Sequence, residues 1–140
     1  MSLSIRNRIP GTVVGVTTGA VMATVRVAVS EGVELTAAVT TEAVRDLGLE
    51  TGSAVHALVK ATEVALATGP ISGLSIRNRL PGTVTEVTAG PAMAGVRISA
   101  EGGVELTAAI TADAADELRL TVGTPVIALI KATEVALDAA

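Results

Sequence analysis

The chain has 140 residues, a formal net charge of −4 and no Cys, Phe, Tyr or Trp. The absence of cysteine excludes disulfides, thiolate metal sites and cysteine nucleophiles, and the acidic balance excludes a broad basic surface for nucleic acid or anionic lipid. Without aromatic rings nothing can stack on a base or a flavin, so the core must be built from aliphatic side chains and methionine.

The N-terminal sequence MSLSIRNRIP has no apolar stretch, which predicts that the chain carries no signal peptide. No run of residues approaches the ~20 apolar residues of a membrane span, so no membrane partner is expected. The lack of cysteine fits a reducing compartment, and we predict a cytoplasmic location.

The sequence contains an internal duplication. Residues 4–13 read SIRNRIPGTV and residues 75–84 read SIRNRLPGTV, an offset of 75 − 4 = 71 that continues without a gap to the end of each copy. We predict a first module over residues 1–68, a small, breaker-rich linker over residues 69–73 and a second module over residues 74–140. Each module is near the size where a lone core is marginal, so a shared interface and oligomerisation are expected.

Within a copy the pattern is mostly that of strands. An extended stretch at 3–16 carries Pro10-Gly11, which predicts a bulge or bend there. Further strands are predicted over residues 21–29, over residues 33–39 and, as one or two strands, over residues 53–66.

Residues 40–47 are typical of one short helix with a threonine cap before it and Gly48 at its end. Four or five strands with one helix between the third and fourth predict a small closed barrel of oligonucleotide/oligosaccharide-binding (OB) type. The predicted fold is all-β with one short helix per repeat, in two tandem OB-fold-like five-stranded barrel modules.

The repeated decapeptide contains side chains that can bind an anion. In a strand Ser4, Arg6 and Arg8 share one face, with Ile5 and Ile9 on the other. Arginine offers a planar fork suited to an oxyanion, and serine adds one O–H donor. The alternative is an ordinary solvated strand face. Between the retained segments the repeat has drifted, so retention of the decapeptide does not merely reflect a recent duplication.

Two further donor positions are kept in both copies. Thr40 and Thr111 each open the short helix, where free N–H groups favour anions, although simple N-capping is the first explanation of the hydroxyl taken alone. Lys60 and Lys131 lie within otherwise apolar strands, where a lysine can also be a snorkelling edge residue.

Taken together, these Ser, Arg, Thr and Lys side chains are hydrogen-bond donors, and none of them is a carboxylate or an imidazole. Such a set fits the binding of a deprotonated anion and not general acid–base catalysis. His56 has Ile127 as its counterpart and is predicted to be a surface or interface residue. The sequence contains no Gly-rich phosphate loop, metal-ligand spacing or catalytic triad, so no enzyme activity is predicted.

The motif SIRNRxPGTV, followed by LTAA(V/I)T and KATEV, resembles the molbindin family of small molybdate-binding modules over nearly the whole chain, twice. Ile5 and Ile76 replace the alanine usual in that opening. The resemblance implies bound molybdate or tungstate without an organic cofactor, at interfaces between modules, and a homotrimer that holds six modules. Matching the motifs implies these oxyanion-binding residues in the two copies: Ser4, Arg6, Thr40, Ala43, Lys60 and Ala61, and Ser75, Arg77, Thr111, Ala114, Lys131 and Ala132.

The leading interpretation is a non-enzymatic binder for intracellular molybdenum storage and homeostasis. One alternative is a ligand-sensing oligomeric module that acts with a separate regulator or transporter. Another is a nucleic-acid-binding OB-type module, which the missing aromatic residues and the net negative charge disfavour. The last alternative is a purely structural oligomer with vestigial sites.

Overall fold

The structure, a computed structural model, describes residues 2–140 and contains two five-stranded antiparallel sheets. The first repeat forms β1 (Asn7–Thr18), β2 (Met22–Ser30), β3 (Val33–Thr40), helix α1 (Thr41–Leu47), β4 (Ala54–Val59) and β5 (Ala65–Ala67). The second forms β6 (Asn78–Ala89), β7 (Met93–Ala100), β8 (Val104–Thr111), helix α2 (Ala112–Glu117), β9 (Pro125–Ile130) and β10 (Ala136–Ala139). One-turn 3₁₀ helices lie at Ala61–Glu63, Glu101–Gly103 and Ala132–Glu134.

The predicted fold class is confirmed: each repeat gives curled β structure with one short α-helix. Along β2 the β-branched residues Val25 and Val27 are buried, whereas Thr24 and Arg26 at the alternate positions face solvent. The helix limits also follow the prediction, because Thr40 is the N-cap of α1 and Gly48 ends it with a left-handed φ of 62°.

The predicted interruption at Pro10-Gly11 was wrong. Strand β1 runs through both residues in unbroken register with β4, and the irregularity in its pairing with β2 lies between Val13 and Gly15. Glycine at position 11 lets the β1 backbone lie close to β2 and does not bend the strand, since a Cβ there would lie 2.5 Å from the side chain of Val27.

The two sheets exchange their last strands. The first sheet has the order β10-β4-β1-β2-β3, and the second has the order β5-β9-β6-β7-β8. Strand β5 of the first repeat therefore completes the second sheet, and β10 of the second repeat completes the first. Residues 60–64 and 131–135 are the crossing segments, and each contains a one-turn 3₁₀ helix.

The two barrels also share a hydrophobic core and are joined by the hydrogen bonds of two asparagine side chains. One buried aliphatic cluster continues from Ile98 and Ile130 in the second repeat to Leu35 in the first. Two buried asparagines, Asn7 and Asn78, each contact the backbone of the opposite repeat. Nothing among residues 2–140 forms a helix long and apolar enough to cross a membrane.

Candidate functional site

The structure brings four of the six predicted residues of each repeat together in a surface depression. The first depression has a volume of about 240 Å³ and the second about 270 Å³. Their linings correspond residue by residue at the offset of 71, which makes them two copies of one site. The lining residues are Ser4, Ile5, Arg6, Lys60, Ala61 and Thr62 in the first depression, and Ser75, Ile76, Arg77, Lys131, Ala132 and Thr133 in the second.

Every charged side chain in these depressions is cationic. The first contains the guanidinium of Arg6 and the ammonium of Lys60, and the hydroxyls of Ser4 and Thr62 add O–H donors. Within the described residues, neither lining includes a carboxylate or an imidazole. The depressions therefore offer charged donors to a ligand that only accepts hydrogen bonds, which is the property of a deprotonated oxyanion.

The arginine lies just before the strand and not within it. Residues 2–6 precede β1, so the predicted strand face shared by Ser4, Arg6 and Arg8 does not form as such. The Nε of Arg6 donates to the Ser4 carbonyl at 3.0 Å, and that of Arg77 donates to the Ser75 carbonyl at 3.3 Å. These contacts are local and exposed, and they use only the Nε donor of each guanidinium, which has four further N–H donors on its two Nη atoms.

The lysine and alanine of each site lie where the chain leaves one barrel for the other. Lys60 is the N-cap of the 3₁₀ helix Ala61–Glu63, and Lys131 is the N-cap of Ala132–Glu134. The first N–H groups of such a turn have no acceptor within it, so the amide of Ala61 adds a backbone donor beside the lysine. The site thus combines the start of each repeat with its crossing segment.

The remaining two predicted positions have capping contacts. The Thr40 hydroxyl accepts a hydrogen bond from the Ala43 amide at 3.1 Å, and the Thr111 hydroxyl accepts one from the Ala114 amide at 3.1 Å. Thr111 also lines a cavity of about 430 Å³ with Lys131, and Thr62 and Glu63 of the first repeat belong to the same lining. Lys131 therefore connects the second depression to the interface between the repeats.

Sequence reasoning missed two sets of residues. Thr62 and Thr133 line the depressions, and the retention of KATEV in both copies was the signal that could have identified them. Asn7 and Asn78 join the repeats, and their place between two exposed arginines, at an inward position of the strand, was the signal for them. Among residues 2–140, no group of three or more His, Cys, Asp or Glu residues could hold a metal ion.

The fold and the duplicated depressions define the class of this protein as a two-module chain of small OB-like barrels. The TOBE domain model matches residues 3–66 and 74–137. The chain belongs to the TOBE domain family, as a tandem two-module molbindin.

Individual relatives agree with this assignment. The chain is 41% identical over 138 residues to the molybdenum-pterin-binding protein MopA of Rhodobacter capsulatus, covering 98% of this chain and 52% of MopA. It is 38% identical over 133 residues to the molybdenum transport protein ModE of Herbaspirillum seropedicae, covering 94% of this chain and 49% of ModE. The chain thus spans about half the length of these relatives.

A solved structure is similar over its full length. The crystal structure of the cytoplasmic molybdate-binding protein ModG, in a form with molybdate bound, has a TM-score of 0.96 to this chain at 40% identity. The similarity covers 100% of both chains, so the relative placement of the two barrels is common to them.

Proposed function

We propose that this chain is a non-enzymatic binder of molybdate or tungstate that stores and buffers molybdenum in the cytoplasm. The observation that carries the proposal is the duplicated depression, whose polar side chains are donors, including one arginine and one lysine per copy. The molybdate-bound ModG structure, the same fold at 40% identity, supports the choice of anion.

The proposed binding residues are those implied by motif matching. Arg6 and Lys60 supply charge, Ser4 supplies a hydroxyl and Ala61 a backbone N–H, and the second copy repeats the set. Thr40 and Ala43, at the N-terminus of α1, complete the site when another copy of the chain brings that helix end to the ligand. A tetrahedral dianion accepts hydrogen bonds at every oxygen, so donors alone satisfy it.

The same inventory explains how the site selects among anions. Phosphate near neutral pH still carries a proton, and the depressions offer that proton no carboxylate or imidazole but only serine and threonine hydroxyls, which a tetrahedral anion needs as donors. Sulfate carries no proton but has shorter bonds to oxygen, so its oxygens do not reach all donors of a site shaped for molybdate. Selection against phosphate is therefore by hydrogen bonding, and selection against sulfate is by size.

The depressions are open in a single chain, and we propose that further copies cover them in a homotrimer of six modules. Ser4, Arg6, Thr40 and Lys60 are all exposed, so a bound dianion would remain in contact with water. The surface of one chain is 7707 Å², whereas a folded monomer of 13.9 kDa is expected to expose roughly 6,700 Å². This excess, with Met22 and Met93 exposed at equivalent places in the two repeats, favours additional interfaces.

Isothermal titration calorimetry with three anions tests the proposal. Molybdate is expected to bind, sulfate to bind at least tenfold more weakly, and phosphate to give no saturable heat under the same conditions. Phosphate affinity comparable to that of molybdate would contradict the donor-only site. Because the protein has no Trp or Tyr, heat is a better signal than intrinsic fluorescence.

A second candidate function is supported by the length of the relatives. The chain matches about half of a molybdenum transport protein, ModE, so the same two modules also occur joined to further sequence. In this reading the barrels sense molybdate and a separate regulator or transporter responds. Pull-down with molybdate-loaded and molybdate-free protein discriminates the two, because a sensor retains its partner in only one of the two states.

A further inference from the structure

The pairing of β10 with β4, the seam that closes the first barrel, contains a half-buried polar pair next to an exposed arginine. His56 on β4 lies directly opposite Asp138 on the exchanged strand β10, and the imidazole Nδ1 is 2.8 Å from the carboxylate Oδ1. The second oxygen, Oδ2, lies 3.6 Å from Nη2 of Arg8 on β1. The Asp138 side chain is only 13% exposed and that of His56 24%, so their contact is largely shielded from water.

The equivalent seam of the second barrel has different chemistry. There β5 pairs with β9, and Ala67 lies opposite Ile127. Both members of the polar pair are thus replaced together, His56 by isoleucine and Asp138 by alanine. Arg79, the counterpart of Arg8, instead donates to the backbone carbonyls of Leu74 and Ile76.

We infer that the His56–Asp138 pair, with Arg8, selects which final strand closes the first barrel. Strands β5 and β10 both contain the sequence Ala-Leu, so either could close either barrel through that pair of residues. They differ at the third position, where β5 has Ala67 and β10 has Asp138. The edge of β4 fits a terminal strand with a carboxylate at that position, which is the strand of the second repeat.

The unexchanged arrangement would lose this complementarity at both seams. Returned to its own barrel, Asp138 would lie opposite Ile127, and a poorly solvated carboxylate beside an apolar side chain is costly. His56 would lie opposite Ala67 with no acceptor. The exchange places Lys60 and Lys131 in the segments that cross from one barrel to the other. The inference about strand selection does not depend on which anion the chain binds.

The lone imidazole gives a direct readout. With one His and no Phe, Tyr or Trp in the chain, His56 supplies all the carbon-bound aromatic proton signals in its NMR spectrum. In the full-length native protein we expect nuclear Overhauser contacts from the His56 ring to β10 and none to residue 67. In the variant A67D/D138A, which moves the carboxylate to β5, we expect a second set of His56 signals with contacts to residue 67. The ratio of unexchanged to exchanged chains should rise by tenfold or more, the effect of one charge-assisted hydrogen bond.

Two further variants complete the test. The transposed variant H56I/I127H/A67D/D138A moves the whole pair to the other seam, and we expect a single exchanged form with contacts between positions 127 and 67. If A67D/D138A does not fold, D138A alone should give two sets of His56 signals, because selection is lost without a new preference. A single set of His56 contacts to β10 in A67D/D138A, or in D138A as its substitute, would overturn the inference and leave the pair as a local contact.

Discussion

Replacing Arg6 and Arg77 together by alanine is expected to abolish most molybdate binding while the protein stays folded. Each arginine supplies a guanidinium to one depression. Once a second copy of the chain covers that depression, removing the charged donor from the bound ion typically costs about 2–5 kcal/mol or more. We therefore expect an affinity that is weaker by roughly 30-fold to several thousand-fold. Both side chains are exposed and bond only to the nearby Ser4 and Ser75 carbonyls, so the far-UV circular dichroism spectrum should not change.

A matched control separates a site effect from a change in net charge. R26A/R97A also removes one exposed arginine from each repeat at the offset of 71, and neither residue lines the two depressions. This variant should retain the titration of the native protein, measured by calorimetry at the same ionic strength. Equal losses in the two variants would mean that overall charge, and not the depressions, governs anion uptake.

Replacing Asn7 and Asn78 together by alanine is expected to cause the largest loss of stability. The Asn7 amide donates to the Thr107 carbonyl at 2.8 Å and accepts from the Thr107 N–H at 2.7 Å, so it pairs with the backbone of the other repeat as a strand would. Asn78 does the same at Thr36, with distances of 2.9 and 2.8 Å. Each substitution leaves a partly buried N–H and C=O without a partner, and we expect about 2–5 kcal/mol in total.

Urea unfolding followed by far-UV circular dichroism measures this loss, because the chain lacks the residues needed for intrinsic fluorescence. The control T12A/T83A changes exposed threonines on the same two strands and should stay within about 0.5 kcal/mol of the native protein. If N7A/N78A also stays within that range, the hydrogen bonds of Asn7 and Asn78 contribute little to the free energy of unfolding, and the aliphatic core alone holds the repeats together.

Much of the fold could be predicted because it depends on local patterns that occur twice. Alternation along residues 21–29 predicted β2, and the threonine and glycine around α1 predicted both of its ends. The strand exchange could not be predicted in this way. Strands β5 and β10 satisfy either barrel equally in hydrophobic pattern, and the distinction lies in the pairing of His56 with a residue 82 positions away.

The candidate site was predictable in its chemistry but only partly in its geometry. Retention of Ser4, Arg6 and Lys60 in both copies identified residues that the fold brings to one depression. Thr40 and Ala43 bond to each other in the single chain. Their place in a closed site depends on a surface from another copy, and the spacing of residues within one chain contains no information on that contact.

An anomalous difference map from crystals grown with molybdate, with data collected at the molybdenum absorption edge, tests the central claim most directly. We expect peaks within hydrogen-bonding distance of Arg6 and Lys60, and of Arg77 and Lys131, each enclosed by a second copy of the chain. Molybdenum peaks elsewhere on the protein, with both depressions filled by water, would contradict the assignment.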